Sequence, residues 1–217
     1  MQSKNAEVLT IKRLKKDGSA GRDAVEKISG YLSDNHIVLV PIDNVYCVVS
    51  LSEEIIISRF GKEPFYCNNN VKLISSYKML NGLAEYSKSD YDFLNRIWPG
   101  EVTVALKGRR IKKENIELIR FPKNKFSLDI IERAGTIIQS AILLFDNHNV
   151  VYKKRDIIKY FKESVDLIVI VDELCKKHPL PTYIDIRNNS LNILQEGKIS
   201  AEEIKSLYFL GKADDVV

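Results

Sequence analysis

The feature that most restricts the possible folds is a short β-branched apolar run followed by a proline, a polar turn and a second apolar run. It occupies residues 36–49, HIVLVPIDNVYCVV. Ile37–Val40 has the length of a buried strand, and proline cannot donate to a sheet ladder, so we expect the strand to end at Pro41. Asp43 and Asn44 are turn-forming residues. The segment predicts either an ordinary strand and turn or polar side chains at the mouth of a pocket.

Similar apolar runs alternate with segments of helical periodicity along the whole chain. Strands are predicted at 8–14, 37–40, 71–75, 102–106, 116–121, 136–144, 165–171, 183–186 and 191–194. Helices are predicted at 23–35, 53–60, 79–86, 91–97, 128–134, 156–161 and 202–207. No repeat or linker is visible, and short turns join several strands. We therefore predict a single α/β domain, residues 1–217, with a mixed sheet flanked by helices.

Composition excludes several classes of protein. A chain of 217 residues that is 45% hydrophobic and 29% charged can bury a core without disulfide or metal support, and it is not disordered. Charges interrupt every apolar run before the roughly 18 residues that a membrane span requires, and MQSKNAEVL lacks a signal-peptide core. We therefore expect a cytoplasmic protein with no membrane partner. The three cysteines and three histidines are widely spaced, which argues against a disulfide framework or a metal site.

The net charge of +4 and the pI near 8.8 are compatible with nucleotide or RNA partners, but not with the dense positive face of a dedicated nucleic-acid-binding protein. Two local clusters are more basic than the rest of the chain. Either could follow phosphates, although a solvated loop is the interpretation we favour. The clusters are Lys12, Arg13, Lys15 and Lys16, and Lys107, Arg109, Arg110, Lys112 and Lys113.

Several short motifs follow one another in an informative order. The strand with PIDNVY at 41–46 precedes WPGEVT at 98–103, IRFP at 119–122, SA at 140–141, TYID at 182–185 and ILQEG at 193–197. This succession resembles the YrdC/YciO family, the best known members of which are threonylcarbamoyl-AMP synthases. The resemblance spans about residues 20–204. Its most specific part is IWPGEVTVAL, which is similar to the family's WPGPLT(L/V)VL segment.

The resemblance implies a twisted α/β fold around a large concave, basic cavity. It also implies a nucleotidyltransferase that condenses L-threonine, bicarbonate and ATP into threonylcarbamoyl-AMP and pyrophosphate, for modification of adenosine in tRNA. The carbamate formed on threonine attacks the α-phosphate, so the protein mainly aligns the reactants and stabilises phosphate charge. Magnesium is expected to accompany ATP, whereas no catalytic side chain and no protein-held metal are implied.

The resemblance also implies a set of substrate-binding residues. Arg120 matches the VRxP arginine, and its planar fork suits the carboxylate of threonine, with a surface salt bridge as the alternative. Ser140 matches the serine of the SxN pair, which contacts nucleotide phosphates. Thr182 stands in the ST-V-V-D segment and is expected to face the cavity, while Lys62 is the nearest match to the lysine of the K-x-R pair.

Two further predicted contacts fall in the family's PT(D/E)TVYG segment. They are Asn44 and Tyr46, and for Tyr46 packing in the core is the alternative. Trp98, Pro99 and Gly100 are expected to be structural.

The sequence also departs from the family pattern. Cys47 replaces a glycine, Ile142 replaces the SxN asparagine, Gln195 replaces the LREG arginine and Pro64 lies near the position of the K-x-R arginine. Each lost charged hydrogen bond to phosphate costs about 1.5–3 kcal/mol. Two functions therefore remain open: a divergent synthase, or a module that has lost synthesis and binds tRNA, double-stranded RNA or a nucleotide.

Overall fold

A computed structural model describes residues 5–61, 70–109, 116–145 and 149–210. The helices are α1 Arg22–Ser33, α2 Glu53–Phe60, α3 Tyr77–Leu83, α4 Lys88–Ile97, α5 Lys125–Ala134, α6 Lys154–Phe161 and α7 Ala201–Leu210. The strands are β1 Glu7–Ile11, β2 Val38–Ile42, β3 Val45–Ser50, β4 Val71–Leu73, β5 Ala84–Glu85, β6 Val102–Gly108, β7 Ile116–Arg120, β8 Ile138–Ile142, β9 Leu144–Phe145, β10 Asn149–Val150, β11 Leu167–Val171, β12 Thr182–Asp185 and β13 Asn192–Gln195. The predicted mixed α/β fold is confirmed. Among the described residues, no helix has both the length and the apolar character needed to cross a bilayer.

The chain forms two compact units. The first comprises Met1–Asn70 and Asn124–His178, and the second comprises Val71–Lys123 and Pro179–Val217. Each unit is built from segments that are distant in sequence.

The first unit contains a mixed sheet with the strand order β1-β11-β2-β3-β8. The pairs β1–β11 and β11–β2 are parallel, whereas β2–β3 and β3–β8 are antiparallel. One face is covered by an apolar cluster that includes Leu39, Val48, Ala141, Ile157 and Phe161, each 0–1% exposed. Ile157 and Phe161 lie one turn apart on α6, so a single apolar stripe attaches that helix to the cluster.

The prediction that Pro41 ends its strand is wrong. β2 continues through Pro41 to Ile42, and Pro41 pairs with Tyr46 of β3. A two-residue turn connects the strands, which makes Ile42–Val45 the hydrogen-bonded pair and Pro41–Tyr46 the next, non-hydrogen-bonded one. The pairing with β11 on the other side covers Val38 and Leu39. Neither neighbouring strand therefore requires a backbone N–H donor at Pro41.

The second unit contains a mixed sheet with the order β4-β7-β6-β12-β13, and β5 pairs with the end of β6. Helix α3 spans Tyr77–Leu83, so the helix predicted at 79–86 starts two residues late and continues three residues too far; the chain extends at Ala84 to pair with Gly108. Helix α4 starts with a capping box formed by Ser87 and Asp90.

A tight corner connects α4 to β6, as expected for the Trp-Pro-Gly segment. The indole N–H of Trp98 donates to the Val102 carbonyl oxygen at 2.8 Å, and the Gly100 N–H donates to the Phe121 carbonyl oxygen at 2.8 Å. A Cβ on Gly100 would lie 2.1 Å from the Ile97 carbonyl oxygen, so a larger residue does not fit without movement of the backbone. The corner fixes where β6 begins beside β7.

Candidate functional site

The second unit places Arg120 in a row of residues that crosses four strands. Arg120 lies opposite Thr103 of β6 and beside Leu73 of β4, and Thr103 is the partner of Tyr183 in β12. Residues that are paired across strands share a face of the sheet. Arg120 is 3% exposed and Thr103 is 1% exposed, so the row combines a buried cation with a buried hydroxyl.

The Thr103 hydroxyl distinguishes this row from an ordinary core. Within the described residues, its Oγ1 is buried and has no hydrogen-bond partner. Burying a hydroxyl without a partner costs about 1–3 kcal/mol, so such atoms generally meet water or a ligand. Thr103 was part of the sequence motif but was not predicted to bind substrate, because the sequence does not show that β6 places it opposite Arg120.

Thr182 lies on the other face of the same sheet. It pairs with Val102, whereas Arg120 pairs with the next residue, Thr103. Successive side chains of a strand point to opposite faces, so Arg120 and Thr182 point away from each other. A contact of both side chains with one substrate stays a prediction, and this strand register does not favour it.

The Thr182 hydroxyl supports the segment after β13. Its Oγ1 accepts hydrogen bonds from the N–H groups of Gly197 and Ile199, each at 3.1 Å, and donates to the Ile199 carbonyl oxygen. These three bonds use the full capacity of a hydroxyl group. The ligand contact of Thr182 stays a prediction, and the contacts seen here are structural.

A second ionic group lies on the same face as Arg120. Asp185 follows Tyr183 by two residues in β12 and pairs with Ala105. Arg187 donates from Nε to Oδ1 of Asp185 at 2.9 Å and from Nη2 to Oδ2 at 2.6 Å, and its backbone N–H also donates to Oδ1. These bonds lower the pKa of Asp185 below its ordinary value, although burial acts in the opposite direction. The sequence prediction missed this pair.

In the first unit, Ser140 is a buried residue in the middle of β8. It is 3% exposed and lies opposite Val49 of β3. Two residues further along β8, on the same face, Ile142 lies directly opposite Cys47. Two departures from the family pattern are therefore neighbours, and both are buried. They give the face that carries Ser140 an apolar character at this point.

Tyr46 lies on the opposite face of this sheet from Ser140, since it precedes Cys47 in β3. Its ring belongs to the apolar cluster, and its hydroxyl oxygen accepts the Val171 N–H at 3.2 Å and contacts the Cys175 sulfur at 3.4 Å. Burial raises the pKa of Tyr46 above its ordinary value. The structure favours core packing, and contact with a substrate stays a prediction.

Asn44 and Asp43 form the turn between β2 and β3. Both have positive φ, 74° and 43°, which is typical of the type I′ turns that join two-residue hairpins. Asp43 is 3% exposed; its carboxylate accepts the Asn124 N–H at 2.8 Å, and its own N–H donates to the Ser127 hydroxyl at 3.2 Å. The turn is therefore attached to the start of α5.

Other predicted residues can be placed only in part. Lys62 and Pro64 lie outside the described residues, as do Arg110, Lys112 and Lys113 of the second basic cluster. Lys12, Arg13, Lys15 and Lys16 are exposed, in agreement with a solvated segment. In the part of the chain that the structure describes, no group of three or more His, Cys, Asp or Glu residues could hold a metal ion.

Comparison with known proteins identifies the family. A family model described as "Sua5_yciO_yrdC: Telomere recombination" matches residues 63–197, which is more than half of the chain. A search of curated proteins found no match.

Solved structures agree with the fold. YciO from E. coli superposes with a TM-score of 0.78 at 15% identity, over 92% of this chain and 99% of that one. Sua5 from P. abyssi, complexed with L-threonine, gives a TM-score of 0.76 at 17% identity, over 92% of this chain and 60% of that one. Full-length HypF in a phosphate- and nucleotide-bound form gives 0.66 at 10% identity, over 80% of this chain and 29% of that one. The chain belongs to the Sua5/YciO/YrdC family.

Proposed function

We propose that the protein is a divergent threonylcarbamoyl-AMP synthase that uses L-threonine, bicarbonate and ATP and supplies a tRNA modification. Family membership and the likeness to a Sua5 structure complexed with L-threonine support this reaction class. The observation that carries the proposal is the buried row in which Thr103 lies opposite Arg120.

The row has the chemistry required for an amino-acid carboxylate. Arg120 contributes a guanidinium whose charge and planar donors match a carboxylate. The Thr103 hydroxyl, which has no partner in the described part of the chain, can donate to a carboxylate oxygen or to the hydroxyl of threonine. A substrate at this row would thus use both side chains.

The reaction requires little beyond alignment of the substrates. The threonine amine attacks CO₂ derived from bicarbonate and loses a proton, which gives a carbamate. A carbamate oxygen then attacks the α-phosphorus of ATP, and the bond to the β-phosphate oxygen breaks to release pyrophosphate. Arg120 and Thr103 would fix the amino-acid end, so that the carbamate lies in line with the leaving pyrophosphate.

Magnesium enters this scheme as a companion of ATP. The described residues contain no cluster of acidic, histidine or cysteine side chains that could hold a metal ion alone. Magnesium retains several waters and binds readily through nucleotide phosphates, where it supplies charge neutralisation.

The test is pyrophosphate release from labelled ATP in the presence of threonine and bicarbonate. We expect release to require both, and Arg120→Ala to raise the KM for threonine about tenfold or more, because a charged hydrogen bond contributes about 1.5–3 kcal/mol. Arg120→Lys should restore part of this loss. Lys205→Ala, on the exposed side of α7, removes a charge elsewhere and should leave the KM unchanged. Release that does not depend on threonine would exclude the proposal.

A second candidate function is a binding module that has lost synthesis and retains binding of tRNA or double-stranded RNA. The buried apolar pair Cys47–Ile142, in place of a glycine and an amide, favours it. A gel shift with tRNA and duplex RNA across a salt series tests this function. Phosphate-dominated binding weakens as salt rises, so a complex that is insensitive to salt, or absent at low salt, would contradict it.

A further inference from the structure

A cavity in the first unit has a lining that neither the sequence motifs nor the family reaction uses. Its volume is about 370 Å³, within the range of about 300–1,000 Å³ that is typical of small-molecule sites. The lining includes Tyr152, Lys153, Asp156, Tyr160 and Lys177. Ser140, the predicted nucleotide contact of this unit, is not part of it.

The lining is organised by helix α6. Lys153 is the N-cap, and residues 153, 156 and 160 recur at intervals of three and four, so they lie along one flank of the helix. Ile157 and Phe161 fix the adjacent face in the core, where they are 0% and 1% exposed. The flank is therefore held on a rigid support, although its side chains reach solvent.

Two aromatic rings and two lysines meet at this cavity. Tyr160 is 38% exposed, and Lys159 Nζ lies 5.0 Å from its ring centroid. Lys153 Nζ lies 5.9 Å from the ring centroid of Tyr152. Lys153 and Lys177 line the cavity and both are exposed, so both ammonium groups can reach an anion bound there.

The geometry points to a site for one nucleotide unit, with the base stacked on a tyrosine ring and the phosphate held by Lys153 and Lys177. Aromatic rings stack on any base, and ammonium groups bind phosphate as point charges. Asp156 can accept a hydrogen bond from a ribose hydroxyl or an exocyclic amine. A free nucleotide and a residue of a single strand share this chemistry.

The proposal can be tested by titration of the whole chain, followed by amide NMR and calorimetry. The probes are AMP, adenosine, inorganic phosphate and a six-nucleotide oligoadenylate. We expect AMP to shift the amides of residues 150–160 and 177, and to bind at least fivefold more tightly than adenosine or phosphate alone. Equal affinity for phosphate and AMP would exclude base stacking, and an absence of shifts in this segment would overturn the proposal.

The oligonucleotide distinguishes the two sources of the ligand. If a single strand is the natural ligand, oligoadenylate binds more tightly than AMP, and its log affinity falls with log salt by about 0.7 for each phosphate contacted. Equal affinity per site assigns the cavity to free nucleotides. Both results place a nucleotide at α6.

Matched variants separate this site from general charge effects. Lys177→Ala should weaken AMP binding about fivefold, and Tyr152→Leu about tenfold, because stacking and charge contribute independently. Lys205→Ala and Phe209→Leu make equivalent changes at exposed positions of α7 and should have no effect. Lys177 is exposed, so its variant tests the site even where a change at Tyr152 disturbs folding. Unchanged binding in Lys177→Ala would refute the phosphate contact.

Discussion

Cys47 of β3 and Ile142 of β8 lie directly opposite each other in the antiparallel register, and they are 1% and 5% exposed. Each replaces a residue of the family pattern. Because they are paired in register, the two replacements form one apolar pair across β3 and β8. The Cys47 thiol donates a hydrogen bond to the Val45 carbonyl oxygen in its own strand. This relationship links two changes that are 95 positions apart in the sequence and makes their energetics interdependent.

Ile142→Asn is expected to destabilise the protein. An amide at this buried position faces a thiol already bonded within its own strand, and we expect a loss of about 1–3 kcal/mol in the free energy of unfolding. Ile142→Val, which removes one methylene without adding a polar group, should cost about 0.5–1.5 kcal/mol. Urea unfolding measures both. A neutral Ile142→Asn would show that a polar group is satisfied at this position.

Thr182→Val should destabilise the second unit. The substitution keeps the shape but leaves the N–H groups of Gly197 and Ile199 without their acceptor, which costs about 1–3 kcal/mol. A Cβ on Gly197 would lie 2.3 Å from the Leu180 carbonyl oxygen, so the backbone of this segment packs closely against residues 180–181. Hydrogen exchange at both amides should accelerate, whereas Thr182→Ser should preserve their protection. Unaltered exchange in Thr182→Val would argue against the role assigned to this hydroxyl.

Thr103→Val, in contrast to Thr182→Val, is not expected to lower the stability of the protein. The Thr103 hydroxyl is buried without a partner in the described residues, so Thr103→Val should leave stability unchanged or raise it by about 1 kcal/mol. Threonine affinity, measured by calorimetry, should fall about fivefold or more, because the ligand then loses a hydrogen bond. A variant that is clearly destabilised would indicate that this hydroxyl already has a partner in the free protein.

At alkaline pH, the stability of the folded protein should depend on the ionisation of Tyr77. Burial, with smaller effects from Tyr91 and Tyr86, raises the pKa of Tyr77 to about 12 from 10.0. The folded form holds this proton more tightly than the unfolded chain, so its contribution to stability is complete below pH 10 and is lost progressively as the pH rises to about 12. Burial also raises the pKa of Tyr46, so the contribution of Tyr46 to stability is lost in the same direction of pH. Unfolding measured from pH 8 to 12 should show a smaller decline for Tyr77→Phe than for the wild type, and identical slopes would contradict the assignment.

Much of the local structure could be predicted from the sequence, because it depends on residues close together in the chain. The helical pattern of 91–97 predicted most of α4, and the apolar run 165–171 predicted a strand that contains β11, which is 0% exposed throughout. The predicted ends of elements were wrong where pairing with a neighbouring strand determines the local structure. Pro41 continues its strand since no neighbour requires its N–H, and Ala84 leaves its helix in order to pair with Gly108.

The motif order along the sequence was enough to predict the family and to single out Arg120 as a candidate substrate-binding residue. The tertiary structure decided which side chains meet. Strand alternation assigns each residue to one of two faces, but a sequence does not specify the register between strands that are distant along the chain. That register places Thr103 opposite Arg120, puts Thr182 on the other face and brings Cys47 to Ile142. The physical reason is that pairing between distant strands is set by burial of the whole sheet, which no single segment encodes.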